Sequence, residues 1–114
     1  METLEMTLLY DYYGELLTDR QKQCFDLRYN QDLSLSEIAQ ELKVSRQGVY
    51  DNLSRAEALL RNMEEKTGCV RRDKALRSAR EEILTAAQEL LTYENTQVSD
   101  AARRIVSAVQ SLKE

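Results

Sequence analysis

The chain has 114 residues, no histidine and no proline, and a formal net charge of −4. That length fits one domain with a modest core, and the missing histidine removes the commonest general base and zinc ligand. Cys24 and Cys69 are too few and too far apart for a disulfide framework or a cysteine metal site. No apolar run approaches the roughly 18 residues that span a bilayer, and the acidic start does not resemble a signal peptide. The expectation is a cytoplasmic protein with free thiols and no membrane partner. There is no glycine-rich phosphate loop, and Glu64-Glu65 and Glu81-Glu82 read as solvated helix faces. No catalytic residue, cofactor or metal is called for.

Leu, Ala, Glu, Gln and Arg dominate, the residues that lose least on becoming helical. The predicted fold is therefore all-α, with six helices. The first covers about residues 3–13, with Leu4, Leu8, Leu9 and Tyr12 or Tyr13 as its apolar stripe. Thr18-Asp19-Arg20-Gln21 is a capping box that opens a second helix to about Tyr29. Cys24, beside Phe25, reads as a small core residue. Asn30, Gln31 and Asp32 form a polar break.

Residues 34–57, SLSEIAQELKVSRQGVYDNLSRAE, read as a helix-turn-helix. Ser34 and Glu37 make a second capping box, and Leu33 with Ile38 makes a hydrophobic staple. Ser45 caps the next helix, with Val44 and Val49 as its staple. The helices are expected over residues 35–42 and 46–66, with Lys43, Val44 and the Ser45 cap as the turn. Ile38, Leu42, Val44, Val49 and Leu53 supply the contacts that lock the pair, and Ala39 leaves room for close approach. Lys43 stands where such turns often carry glycine, and Gly48 weakens the following helix by up to about 1 kcal/mol.

Gly68 fits a left-handed helix end. Cys69 then falls in a loop beside Arg71 and Arg72, as a surface thiol. Helix five is expected over residues 72–91 and helix six over 98–112, connected through residues 93–96. Val49, Leu53, Ala56, Leu60 and Met63 form a heptad-like stripe on helix four. Leu76, Ala79, Ile83, Ala86 and Leu90 do so on helix five, and Val98, Ala102, Ile105, Val109 and Leu112 on helix six. Such stripes need partners. Helices four to six are expected to pack on one another, and also to offer a homodimer interface. This gives a helix-turn-helix domain over residues 1–66 and a C-terminal helical extension over 67–114 that packs on it and serves as a dimerisation element.

The polar side of helix four carries the candidate nucleic-acid contacts. Arg46 can address guanine and Gln47 adenine, with Tyr50, Asp51 and Ser54 on the same face. Arg55 and Lys43 are placed for phosphates. Asp51 argues against a groove surface unless it meets a cytosine amino group. Charge is also unhelpful. Residues 1–17 carry Glu2, Glu5, Asp11 and Glu15 with no base, while residues 18–62 carry equal numbers of acids and bases.

Residues 8–60 resemble the YlxM family of small bacterial helix-turn-helix proteins, through LYDYY-x3-LLT-x2-Q, RYNQDLSLSEIA and VSRQGVYDN. The same stretch is similar to the promoter-reading region 4 of bacterial sigma factors. The resemblance implies an all-α fold with a wingless helix-turn-helix core; it fades after about Met63, so the long recognition helix and the C-terminal helical hairpin rest on periodicity. It also implies a role beside the signal recognition particle, because genes of this family tend to neighbour that of the particle's GTPase. Three functions follow as expectations: a DNA-binding regulator, an RNA-binding accessory factor of the particle, and a protein–protein adaptor on the same scaffold. Arg46, Gln47 and Arg55 favour the first two, and the acidic N-terminal segment and neutral motif favour the third. The first is preferred, reading a site through Arg46, Gln47 and Tyr50, and a two-fold dimer would suit a palindromic site.

Overall fold

Local capping chemistry sets most helix boundaries in the computed structural model, which describes residues 3–112. Helix α1 spans Thr3–Tyr13 and ends in a 3-10 turn, Gly14–Leu16. Helix α2 spans Asp19–Phe25 and opens with both halves of the Thr18–Gln21 capping box. Helix α3 spans Leu35–Leu42, α4 Arg46–Thr67, α5 Cys69–Leu90 and α6 Thr96–Gln110. Among the described residues the fold is all-α.

The chain divides into two compact units between Val70 and Arg71. In the first, α4 packs against α1, α2 and α3 over two adjoining cores. The larger core joins Met6, Leu9, Tyr13, Leu17 and Phe25 to Ala56, Leu60 and Val70. Phe25 is fully buried between Tyr10 and Tyr29, with ring centroids 4.6 and 4.5 Å away. The smaller core joins Cys24 and Ile38 to Val49 and Leu53. Burial pushes the Cys24 thiol up, so it acts as a small apolar filler rather than a nucleophile. Tyr13 ties the far end of the unit together. Its hydroxyl donates to Glu64 Oε1 at 2.7 Å, and the same oxygen accepts from the Val70 amide at 3.0 Å.

Several expectations need correction. The inward face of α1 carries Met6, Leu9 and Tyr13, whereas Leu4 is 78% exposed. Helix α2 does not run on to Tyr29. Residues Asp26–Asn30 form a widened π turn in which the Gln31 amide reaches back to the Asp26 carbonyl. The widening puts Leu27 on the smaller core and Tyr29 on the larger, while Asn30 and Gln31 bond the Asp26 carboxylate. The stripe of α4 is consumed by the first unit's own helices, with Val49, Leu53, Ala56 and Leu60 buried. Cys69 is not in a loop. It is the first residue of α5, half-buried against the larger core.

The second unit holds most of α5, and α6. Asn95 caps α6 through bonds to the Gln97 and Val98 amides. Ala102 and Val109 are buried as the α6 periodicity suggests and Val98 is half-buried, but Ile105 and Leu112 are exposed. The α5 stripe is not a buried face, and of its members only Leu90 is half-buried. Leu76 is 68% and Ile83 46% exposed, and the buried alanine is Ala87.

Candidate nucleic-acid interface

The helix-turn-helix is assembled by interactions that stay within a few residues. Ser34 Oγ accepts from the Glu37 amide at 3.1 Å, and Glu37 Oε1 accepts from the Ser34 amide at 2.9 Å. Those bonds hold the Glu37 carboxyl below its usual range, the backbone bond most of all. At the other end of α3, Lys43 adopts a left-handed φ of 58°. The amides of Lys43 and Val44 both return to the Ala39 carbonyl, a Schellman-type closure completed without glycine. A lysine there is disfavoured by about 1–2 kcal/mol relative to a right-handed conformation.

Ser45 then caps α4, its hydroxyl accepting from the Gly48 amide at 2.9 Å. A Cβ at Gly48 would lie 3.1 Å from that same oxygen. The missing side chain therefore leaves the cap room to close. The Arg46 and Gln47 amides lie in the first turn of a 22-residue helix, the end that carries partial positive charge and attracts anions.

Below that turn, Val49 and Leu53 anchor one side of α4 in the smaller core, and this fixes what the opposite side presents. Arg46, Gln47, Tyr50, Asp51, Ser54 and Arg55 occupy about half of the circumference at 3.6 residues per turn, all exposed. Lys43 is exposed beside them in the turn. Tyr50 is 54% exposed despite its ring. No described side chain forms a hydrogen bond or ion pair with Lys43, Arg46 or Arg55. Asn52 belongs to the scaffold, because its Nδ2 donates to the Gly48 carbonyl. Arg28 does too, since its guanidinium donates to the Leu33 carbonyl ahead of α3.

One link on this face was not read from the sequence. Gln47 Nε2 donates to Asp51 Oδ1 at 3.0 Å. The signal was present, since amide and carboxylate four residues apart on a helix are neighbours. Among the described residues no three His, Cys, Asp or Glu side chains group to hold a metal ion. No described helix is long and apolar enough to cross a membrane.

The sequence profile of the UPF0122 family, helix-turn-helix proteins described as YlxM / p13 like, matches residues 1–102. The chain belongs to that family. The UPF0122 protein of Thermoanaerobacter sp. strain X514 is 58% identical over 69 residues. That alignment covers 60% of this chain and 59% of the relative, so it spans under two thirds of either protein. Matches at lower identity extend further. The UPF0122 protein of Clostridium kluyveri is 37% identical over 105 residues, 92% of this chain and 95% of that one. The family's protein from Bacillus cereus strain AH187 is 37% identical over 111 residues, 97% of this chain and 96% of its own length. Membership in a helix-turn-helix family suggests a nucleic acid as partner.

Proposed function

We propose that this UPF0122 protein is a non-enzymatic, DNA-binding regulator that places the N-terminal half of α4 in the major groove. One observation carries the reading. Val49 and Leu53 are locked into a core on one side of α4, while the other side presents polar side chains that the fold leaves to solvent. Arg46 and Gln47 then stand at base edges. Lys43, Arg55, Ser54 and the open first-turn amides hold the phosphate backbone and set register. Tyr50 adds a flat, half-apolar surface on the same face.

A homodimer would present two recognition helices to half-sites one helical turn apart. The exposed Leu76 and Ile83 of α5 supply apolar surface for such pairing within the C-terminal extension, residues 67–114. The adaptor reading is favoured by the acids Glu5, Asp11 and Glu15 on and just after α1, a segment without bases, by the neutral charge balance of residues 18–62 and by Asp51 on the exposed face. The connection to the signal recognition particle supplies the RNA arm of the test.

That test is a fluorescence-anisotropy titration of the full chain against labelled duplex DNA and against signal recognition particle RNA, at two salt concentrations. The expected result is duplex binding near the 10⁻⁴–10⁻⁶ M typical of non-specific contacts, or tighter, that weakens with salt. Arg46→Ala should weaken it. Tighter binding to the RNA would replace DNA with RNA as the partner. Binding to neither polymer at low salt would overturn the reading in favour of an adaptor.

A further inference from the structure

Asp51 is an anomaly on a surface meant for phosphates. Its negative charge stands one turn from Gln47 on a recognition helix whose neighbourhood is already neutral overall. The bond between the two side chains gives it a purpose. Gln47 Nε2 donates to Asp51 Oδ1 at 3.0 Å, with both residues exposed. A free glutamine amide is ambivalent, because a half-turn of its last torsion exchanges oxygen and nitrogen. An ionised carboxylate removes that ambivalence, since it only accepts hydrogen bonds. Turning Oε1 toward Asp51 would set two acceptors against each other.

We propose that Asp51 is a positioning residue that locks the Gln47 amide with its nitrogen fixed and its oxygen outward, making Gln47 a dedicated adenine reader. This rests on the DNA-binding reading above and names the base that one of its residues selects. With one N–H held by Asp51, Gln47 retains one N–H and the Oε1 acceptor. Adenine offers the complement on its major-groove edge, an N7 acceptor beside an N6 amino donor. Guanine offers two acceptors, N7 and O6, so the locked Oε1 would face O6 in repulsion. The Asp51 carboxylate adds to that repulsion from one turn away. Guanine is left to Arg46, the neighbouring residue with donors only.

The charge of Asp51 also serves discrimination. An acid beside the backbone weakens sequence-independent binding, which depends on phosphate contacts. What matters to a DNA reader is the ratio of specific to non-specific affinity, and lowering the second raises that ratio. Asp51 thus sacrifices general affinity on a helix whose reading residue it orients.

The experiment is selection from a random-sequence duplex library with the full-length wild type and with Gln47→Ala, Asp51→Ala and Asp51→Asn. Total affinity for a fixed non-cognate duplex is measured alongside. The wild type should enrich a site with one position preferring adenine over guanine by roughly 5- to 150-fold, the range for a bidentate contact. Gln47→Ala should abolish that preference. Asp51→Ala should lose most of it while binding the non-cognate duplex more tightly. Asp51→Asn loses the same charge and offers a donor as well as an acceptor, so it holds the Gln47 amide only part of the time in the adenine-reading orientation and should keep an intermediate preference. A purely electrostatic Asp51 would make the two variants behave alike. That result, or an unchanged preference in Asp51→Ala, would overturn the proposal while leaving DNA binding intact. Cytosine enriched in place of adenine would also overturn it, with Asp51 itself as the reader. A wild type that binds no duplex would remove both the proposal and the reading beneath it.

Discussion

Helices α4 and α5 are each 22 residues long and carry apolar stripes of the same spacing, yet only one of the stripes is buried. On α4, Val49, Leu53, Ala56 and Leu60 are enclosed by α1, α2 and α3. On α5, Leu76 and Ile83 face solvent and Ala79 and Ala86 are exposed with them. Periodicity announces that a helix has an apolar face, but says nothing about what covers it. The difference lies in the neighbours. Two of the three partners of α4, and α4 itself, are held by local devices: the Thr18 box, the Ser34 box, the Schellman-type closure at Lys43 and the Ser45 cap. Those devices set where α2, α3 and α4 start and stop through contacts within a few residues. Helix α5 lacks such brackets on its stripe.

The same truncation should therefore have opposite consequences on the two helices. Leu53→Ala deletes a buried side chain from the smaller core and should cost about 2–5 kcal/mol. Leu76→Ala should stay within about 0.5 kcal/mol at dilutions where the chain is monomeric, as an exposed substitution. Urea unfolding of the two variants in parallel checks the pair. A Leu76→Ala loss that appears at higher protein concentration and shrinks on dilution would mean that the proposed dimer covers the α5 stripe, whereas a comparable loss at every concentration would contradict an exposed stripe.

A second contrast concerns pH. Burial, then the hydrogen bond to Glu57 and that carboxylate's charge, push the Tyr29 phenol up to about 12. Its hydroxyl donates to Glu57 Oε2 at 2.9 Å, so the neutral form is the one the fold prefers. The unfolded phenol titrates near 10. Stability contributed by neutral Tyr29 is then intact below about pH 10 and declines as pH rises toward about 12. Tyr29→Phe should flatten that alkaline limb, measured as denaturation midpoints across the range. An unchanged limb would show that Tyr29 is not held neutral by its surroundings.

Smaller effects sharpen the comparison at the turn. Lys43→Gly removes the left-handed strain and should stabilise by about 1 kcal/mol, partly offset by the freer unfolded chain. It should also weaken duplex binding, if Lys43 contacts phosphate. Thermal melting with an affinity measurement separates the two effects. Arg46→Ala should leave the melting temperature nearly unchanged, because the side chain is exposed. An Arg46→Ala variant that unfolds would make this residue structural.

The part of the fold legible in the sequence was the part built from short-range chemistry. Both capping boxes, the Ser45 cap and the left-handed Gly68 follow from four- or five-residue windows, and the observed helices start and stop there. The π turn at Asp26–Asn30 was not legible, because it answers to two cores that the windows do not contain. The inward face of α1 is legible at Leu9 and Tyr13 but not at Met6, for a similar reason. Leu4 and Met6 are both apolar, and only the position of α4 decides which one is buried. At the candidate interface, the exposed face of α4 follows once Val49 and Leu53 are assigned inward. The Gln47–Asp51 bond is not anticipated, because the sequence reading turns Asp51 outward, toward phosphates or a cytosine amino group, and not toward its neighbour four residues away.

The central claim is that residues 43–55, through their exposed side chains, form the surface that meets DNA. At 13.2 kDa the protein suits backbone amide NMR, and a titration with short duplex DNA tests that claim residue by residue. Amide shifts should concentrate at Lys43, Arg46, Gln47, Tyr50, Asp51, Ser54 and Arg55, and weaken as salt is raised. Shifts that gather on α1 or α5 while residues 43–55 stay still would contradict it.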